Sequence, residues 1–156
     1  MRVLGVDPGF GRCGVAIVEK KGGKEVLIDS ACIETPATAA FPIRMSAVAT
    51  ECARLIKKHR PDAVALEQLF FNTNQKTALR VAETRGAIIY VATEAEVPVF
   101  EYTPGQVKSA TASSGNADKK QVARMLHVLL KIIKTIRHDD ECDAIAVALT
   151  HLASTR

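Results

Sequence analysis

Residues 139–153 carry Ala144, Ile145, Val147, Ala148, Leu149 and Leu152 with scarcely a polar break. On a helical period this leaves no wide polar face, so the segment predicts a helix buried on most sides. The chain ahead of it offers what can cover such a helix. Residues 2–7 alternate weakly and stop at Asp7-Pro8-Gly9, a turn signal. Cys13–Glu19 and Glu25–Glu34 read as two more strands, separated by the polar loop Lys20-Lys21-Gly22-Gly23-Lys24. Three strands joined by short turns predict an antiparallel meander.

Helical spacing then recurs over 43–59, at Met45, Val48, Ala49, Cys52, Leu55 and Ile56, and Pro61 closes the segment. Ala63–Leu66, bounded by Asp62 and Glu67, predicts a buried strand; 70–74 predicts a loop, 75–96 a long helix and Val97–Tyr102 a fifth strand. Thr103-Pro104 suits the first turn of a short helix, with Thr at the N-cap and Pro at N1. After a polar loop at 113–116, Asp118–Ile133 predicts a further helix ahead of the apolar one. The order βββαβαβαα predicts an α/β fold with one mixed five-stranded sheet flanked by helices. At 156 residues this is one domain spanning 1–156.

Four cysteines, at 13, 32, 52 and 142, form no C-x-x-C pair and read as reduced, small apolar residues. No run reaches the ~18 apolar residues of a membrane helix, and the N-terminus reads as a strand rather than a signal peptide. The expectation is a cytoplasmic protein with no membrane partner.

The acids carry the chemistry. Asp7 ends the first strand, Glu67 ends the fourth, and Asp140 and Asp143 open the last helix, three apart and on one face. Each can be a solvated turn or cap residue. If the four converge, their pKa values rise unless a counter-charge is present. An all-oxygen set of that kind favours Mg²⁺ or Mn²⁺. Asp139 is a competitor for the place of Asp140 and is also placed to serve as N-cap. Gly5-x-Asp7-x-Gly9-x4-Gly14 either lets backbone approach a phosphate or marks a tight hairpin with positive φ. Residues 103–137 hold seven Lys/Arg against one acid, so the net +4 of the chain is concentrated there and the remainder is net −2. That is the footprint of a phosphate-backbone surface. Phe70-Phe71 follows Glu67 in a polar loop, suited either to base stacking or to folding back on the core. His138 reads as a metal ligand, a base or an exposed residue at the helix start.

Taken together, Gly5-Val6-Asp7-Pro8-Gly9, Ala65-Leu66-Glu67-Gln68-Leu69-Phe70, Arg85-Gly86, Val99-Phe100-Glu101-Tyr102, Gln106-Val107-Lys108, Ala117-Asp118-Lys119 and Asp140-x-x-Asp143-Ala144-Ile145-Ala146 resemble the RuvC family of Holliday-junction resolvases, in order along nearly the whole chain. The resemblance implies an RNase H-like fold and two-metal hydrolysis of four-way junction DNA, with two Mg²⁺ per subunit and paired symmetric nicks in recombination and repair. It carries a catalytic, metal-binding tetrad onto Asp7, Glu67, Asp140 and Asp143, junction stacking onto Phe70, and DNA contacts onto Lys108 and Lys119. It also implies a homodimer built on the helix at 75–96, where Ala82, Gly86 and Ala87 permit close packing, and a RuvA–RuvB branch-migration complex as partner. The rival readings are an RNase H-like nuclease acting on RNA and a non-catalytic junction-binding module. A sugar-kinase-like phosphotransferase, which also opens with Asp-x-Gly, needs two such domains, and this chain is too short for them.

Overall fold

The computed structural model describes residues 1–69, 75–112 and 118–155. Its strands are β1 (Arg2–Asp7), β2 (Arg12–Lys21), β3 (Lys24–Glu34), β4 (Ala63–Glu67) and β5 (Val99–Tyr102). Its helices are α1 (Phe41–His59), α2 (Gln75–Glu94), α3 (Pro104–Ala112), α4 (Lys119–Leu129) and α5 (Asp139–Ser154). The sheet order is β3-β2-β1-β4-β5. β1, β2 and β3 form the expected antiparallel meander, while β4 and β5 join it in parallel.

The strands of the β2–β3 hairpin run further than the polar loop suggested. Lys20 pairs with Glu25 and Lys21 with Lys24, leaving Gly22-Gly23 as a two-residue turn. Both glycines have positive φ, 59° and 76°, the geometry that matches a tight turn to the twist of its strands.

Side chains alternate across β1, and each face is covered. Leu4 and Val6 join Val15, Ile17, Val64 and Leu66 against α1 and α2. Val3, with Ala16, Val18 and Ala65, packs against α5 and the apolar residues of α3 and α4. In α5, Ala144 to Leu152 is buried throughout, as its all-round apolarity requires.

The short helix expected at Thr103-Pro104 runs for nine residues from Pro104, so three helices follow β5, one more than the order βββαβαβαα counts. Its start is as expected: the Thr103 hydroxyl accepts from the Gln106 N–H and the Gln106 side chain accepts from the Thr103 N–H. Helix α4 ends at Leu129 rather than Ile133. Lys131 takes a left-handed φ of 49°, and the Ile132 N–H bonds back to the His127 carbonyl. Leu130 is thereby turned into the core while Ile133 is fully exposed. At α5 the N-cap is His138, not Asp139; Asp139 is the first helical residue and its carboxylate favours the positive end of the helix dipole.

Candidate active site

Two strand ends and one helix start bring the acids together. β1 and β4 are parallel with Val6 opposite Leu66, so Asp7 and Glu67 leave the sheet side by side. On its other flank Asp7 pairs with Gly14 of β2. A Cβ on Gly14 would fall 1.7 Å from the carbonyl oxygen of Asp140, and one on Gly5 would fall 2.1 Å from that of Ala144. Gly5 and Gly14 thus let α5 lie directly on the sheet and set its first turn over Asp7, while Gly9 admits the Arg12 carbonyl in the β1–β2 turn. Positive φ, which a hairpin reading of that motif needs, occurs among described glycines only at Gly22 and Gly23.

The charges register the convergence. Asp7 is pushed up to about 8, first by burial and then by the negative charges of Asp143, Glu67 and Asp140. Glu67 is also raised, by burial and by Asp143, with Lys119 and Lys108 opposing. Two cations occupy the rim. Lys119 Nζ donates to Asp143 at 3.0 Å and lies 4.0 Å from Asp139; Arg12 Nε is 3.2 Å from Asp140. The Asp140 carboxylate is 23% exposed and that of Asp139 79%, so Asp139 faces water while Asp140 faces the site.

Two adjoining clefts open here, each of about 240 Å³. One is lined by Asp7, Pro8, Glu67, Gln68, Leu69 and Pro104. Glu67 and Pro104 also border the other, which adds Val107, Lys108, Lys119, Val122 and Asp143. Lysines and carboxylates lining one cleft suit a phosphodiester held against a cation.

The donor set fits a divalent metal. It is all oxygen, and the charge that raises Asp7 is the charge a dication would neutralise. Among the described residues the four carboxylates do not lie close enough together to form a closed ligand cage, and Lys119 and Arg12 pair with Asp143 and Asp140. Among the described residues, the three candidate donors within 4.8 Å of one another are Cys32, His138 and Asp140.

The match to the model of a family described as crossover junction endodeoxyribonuclease RuvC runs from residue 3 to residue 151. The chain belongs to the RuvC family. The protein of that description from Syntrophomonas wolfei is 42% identical over 156 residues, covering 100% of this chain and 91% of the relative. The one from Thermosipho melanesiensis is 41% identical, covering 100% and 99%. The solved structure of Thermus thermophilus RuvC in complex with a Holliday junction substrate superimposes with a TM-score of 0.91 at 35% identity, over 97% of this chain and 93% of that one.

In this RuvC-family chain the four acids, Lys108 and Lys119 all reach one edge of the sheet. Phe70 lies outside the described residues, as do Phe71 and the polar loop at 113–116. Lys119 is not a free surface lysine but the ion-pair partner of Asp143, a role that the charge count did not reveal. Arg12 was missed altogether. Its only signal was its place two residues before Gly14, on a strand end beside Asp7. His138 is not a freely exposed helix-start residue: it is half-buried, with Nε2 3.2 Å from Glu34. No helix among the described residues is long and apolar enough to cross a membrane.

Proposed function

We propose that this chain is a cytoplasmic, Mg²⁺-dependent endonuclease that resolves four-way DNA junctions by paired nicks during recombination and repair. The observation that carries the reading is the half-buried Asp7, held at a strand end under the negative charge of Glu67, Asp140 and Asp143. Asp7, Glu67, Asp140 and Asp143 would hold two Mg²⁺, Asp7 being shared between them, with Mn²⁺ able to substitute. When bound, such a pair activates a water and stabilises the leaving 3′-oxygen of the phosphodiester.

The chain's own groups prepare that site. Partial burial of Asp7 and Glu67 and the negative charge of Asp143 beside them raise the cost of their ionised form, a cost that a dication would relieve. Lys108 and Lys119 on the cleft wall receive the phosphates flanking the scissile bond. Lys119 would exchange Asp143 for a phosphate as metal neutralises the acid. Phe70, three residues beyond Glu67, is assigned to stacking on an opened base at the crossover.

A two-fold-symmetric junction calls for a two-fold dimer, and α2 has the face for it. Leu79, Glu83, Gly86 and Tyr90 recur at 4, 3 and 4 and are all exposed, and a Cβ on Gly86 would meet nothing within 4 Å. A RuvA–RuvB branch-migration complex is the partner expected to deliver junctions.

The deciding experiment is cleavage of a synthetic four-way junction in Mg²⁺, with linear duplex and RNA as controls. Symmetric nicks in the junction alone are expected, ending in 5′-phosphate and 3′-hydroxyl. Preferential RNA cleavage would transfer the site to another RNase H-like activity, and tight junction binding without cleavage would make the chain a binding module.

A further inference from the structure

The face of β3 that looks toward α5 carries a second set of donors, different in kind from the carboxylate tetrad. Ser30, Cys32 and Glu34 alternate along the strand and therefore share that face. Each meets the start of α5. Ser30 Oγ donates to Glu141 at 2.7 Å, and Glu34 lies 3.2 Å from His138 Nε2. Between them, Cys32, His138 and Asp140 each place a donor atom within 4.8 Å of the other two.

We propose that Cys32, His138 and Asp140 form a site for a thiophilic divalent transition metal, of which Zn²⁺ is the type, and that its occupation withdraws Asp140 from the catalytic carboxylates. A sulfur, a nitrogen and one oxygen are the ligand classes that Zn²⁺ takes in four-coordinate sites, and Mg²⁺ avoids the first two. Three protein donors leave the fourth position to water. Ligands around a tetrahedral zinc stand roughly 3.3–3.8 Å apart, from metal–ligand bonds of about 2.0–2.3 Å. Small rotamer adjustments therefore close the site. A coordinating thiol gives up its proton outright.

The surroundings favour that closure. Glu34 supplies the carboxylate beside the histidine that metal-bound imidazoles usually have. Arg12, the present cation on Asp140, is more than half exposed and is free to swing into solvent. Cys32 is half-buried and unoxidised. Asp140 belongs to this donor set and also faces Asp7, so it is the element the two sites share. The binding claim stands without the nuclease reading; only the inhibitory consequence rests on it.

The test uses the intact protein and two probes, Co²⁺ and Zn²⁺. Titration with Co²⁺ should give one equivalent of a sulfur-to-cobalt charge-transfer band, removed by added Zn²⁺. The band should vanish in Cys32→Ser and persist in Cys142→Ser, whose thiol adjoins Asp143. In a junction-cleavage assay with Mg²⁺, Zn²⁺ should inhibit the wild type. Cys32→Ser should need at least about tenfold more Zn²⁺ for half-inhibition, with cleavage in Mg²⁺ alone unchanged. If Cys32→Ser melts early, His138→Gln serves the same purpose, and the band should weaken at least about tenfold in Co²⁺ affinity. Absence of the band, its survival in Cys32→Ser, or its loss in Cys142→Ser would overturn the site. A cysteine-dependent band in a protein that cleaves nothing would leave the metal site standing and sink the nuclease reading instead.

Discussion

A carboxyl group held near pH 8 stays protonated in neutral solution unless a cation stands beside it, and Asp7 is such a group. Its folded-state pKa lies above the unfolded value of 3.8, so the folded chain binds the extra proton between the two. Stability from this residue is thus present at low pH and is lost as pH rises from about 4 through about 8. In metal-free protein, Asp7→Asn should remove that loss and raise the melting temperature at pH 8 by on the order of 5 °C, with a smaller gain at pH 5. Thermal melts in EDTA check this; an equal shift at both pH values would mean that the charge is not the cause. Added Mg²⁺ should stabilise the wild type at pH 8 and leave Asp7→Asn nearly unmoved. The same logic separates Asp140 from Asp139. Asp140→Asn should cut junction cleavage by orders of magnitude. Asp139→Asn should leave it within a few-fold, since that carboxylate faces water from the first helical position. Inactivity of Asp139→Asn with an active Asp140→Asn would reverse the assignment.

At the scale of elements, the placement of α5 decides whether the acids meet at all. Two glycines set it, and Gly14→Ala is the sharper test because the clash is with backbone of Asp140 itself. The helix must lift or slide, so cleavage should fall at least about 100-fold, as an ångström of misplacement can do. Secondary structure by circular dichroism should stay close to wild type, and an active Gly14→Ala would show that the first turn of α5 has slack. The strand and helix pattern was legible because the elements differ in their apolar pattern: short apolar runs bounded by turn residues in β1 and β2, the long all-round apolar run in α5. The acids were legible as strand-end and helix-start residues. What sequence could not show is contact between elements far apart in the chain. The Gly14–Asp140 approach spans 126 positions by difference of their numbers, and neither the Arg12–Asp140 pair nor the Cys32–His138 neighbourhood has a local spacing to betray it. Asp139 was misjudged as a cap for a related reason. Local composition favours an Asp there, but the path of the chain into α5 puts the cap one residue earlier, at His138, and makes Asp139 the first helical residue.

For the whole molecule, the basic segment and the outer face of α2 govern how a junction is held. Lys108 and Lys119 border the same cleft, yet they start from different states, because the Lys119 ammonium already donates to Asp143. Loss of a lysine that releases a counterion on binding lowers the slope of log K against log salt by about one. Lys108→Ala should do so in EDTA and in Ca²⁺ alike. Lys119→Ala should do so only in Ca²⁺, when metal on the carboxylates frees the ammonium for phosphate; in EDTA its slope should match the wild type. Fluorescence anisotropy across a salt series reads both. A drop of about one unit for Lys119→Ala in EDTA would mean that the ion pair with Asp143 yields to DNA without help. The α2 face completes the geometry. Leu79→Glu adds a second acid beside Glu83 on the exposed stripe of α2, so the folded monomer should melt at nearly its own temperature while light scattering shows a mass falling towards 16.8 kDa. Paired nicks should then give way to single, uncoordinated ones, because the second site no longer arrives with the first. Paired nicking by a demonstrably monomeric variant would remove α2 from the interface and with it the reason its exposed residues share one stripe.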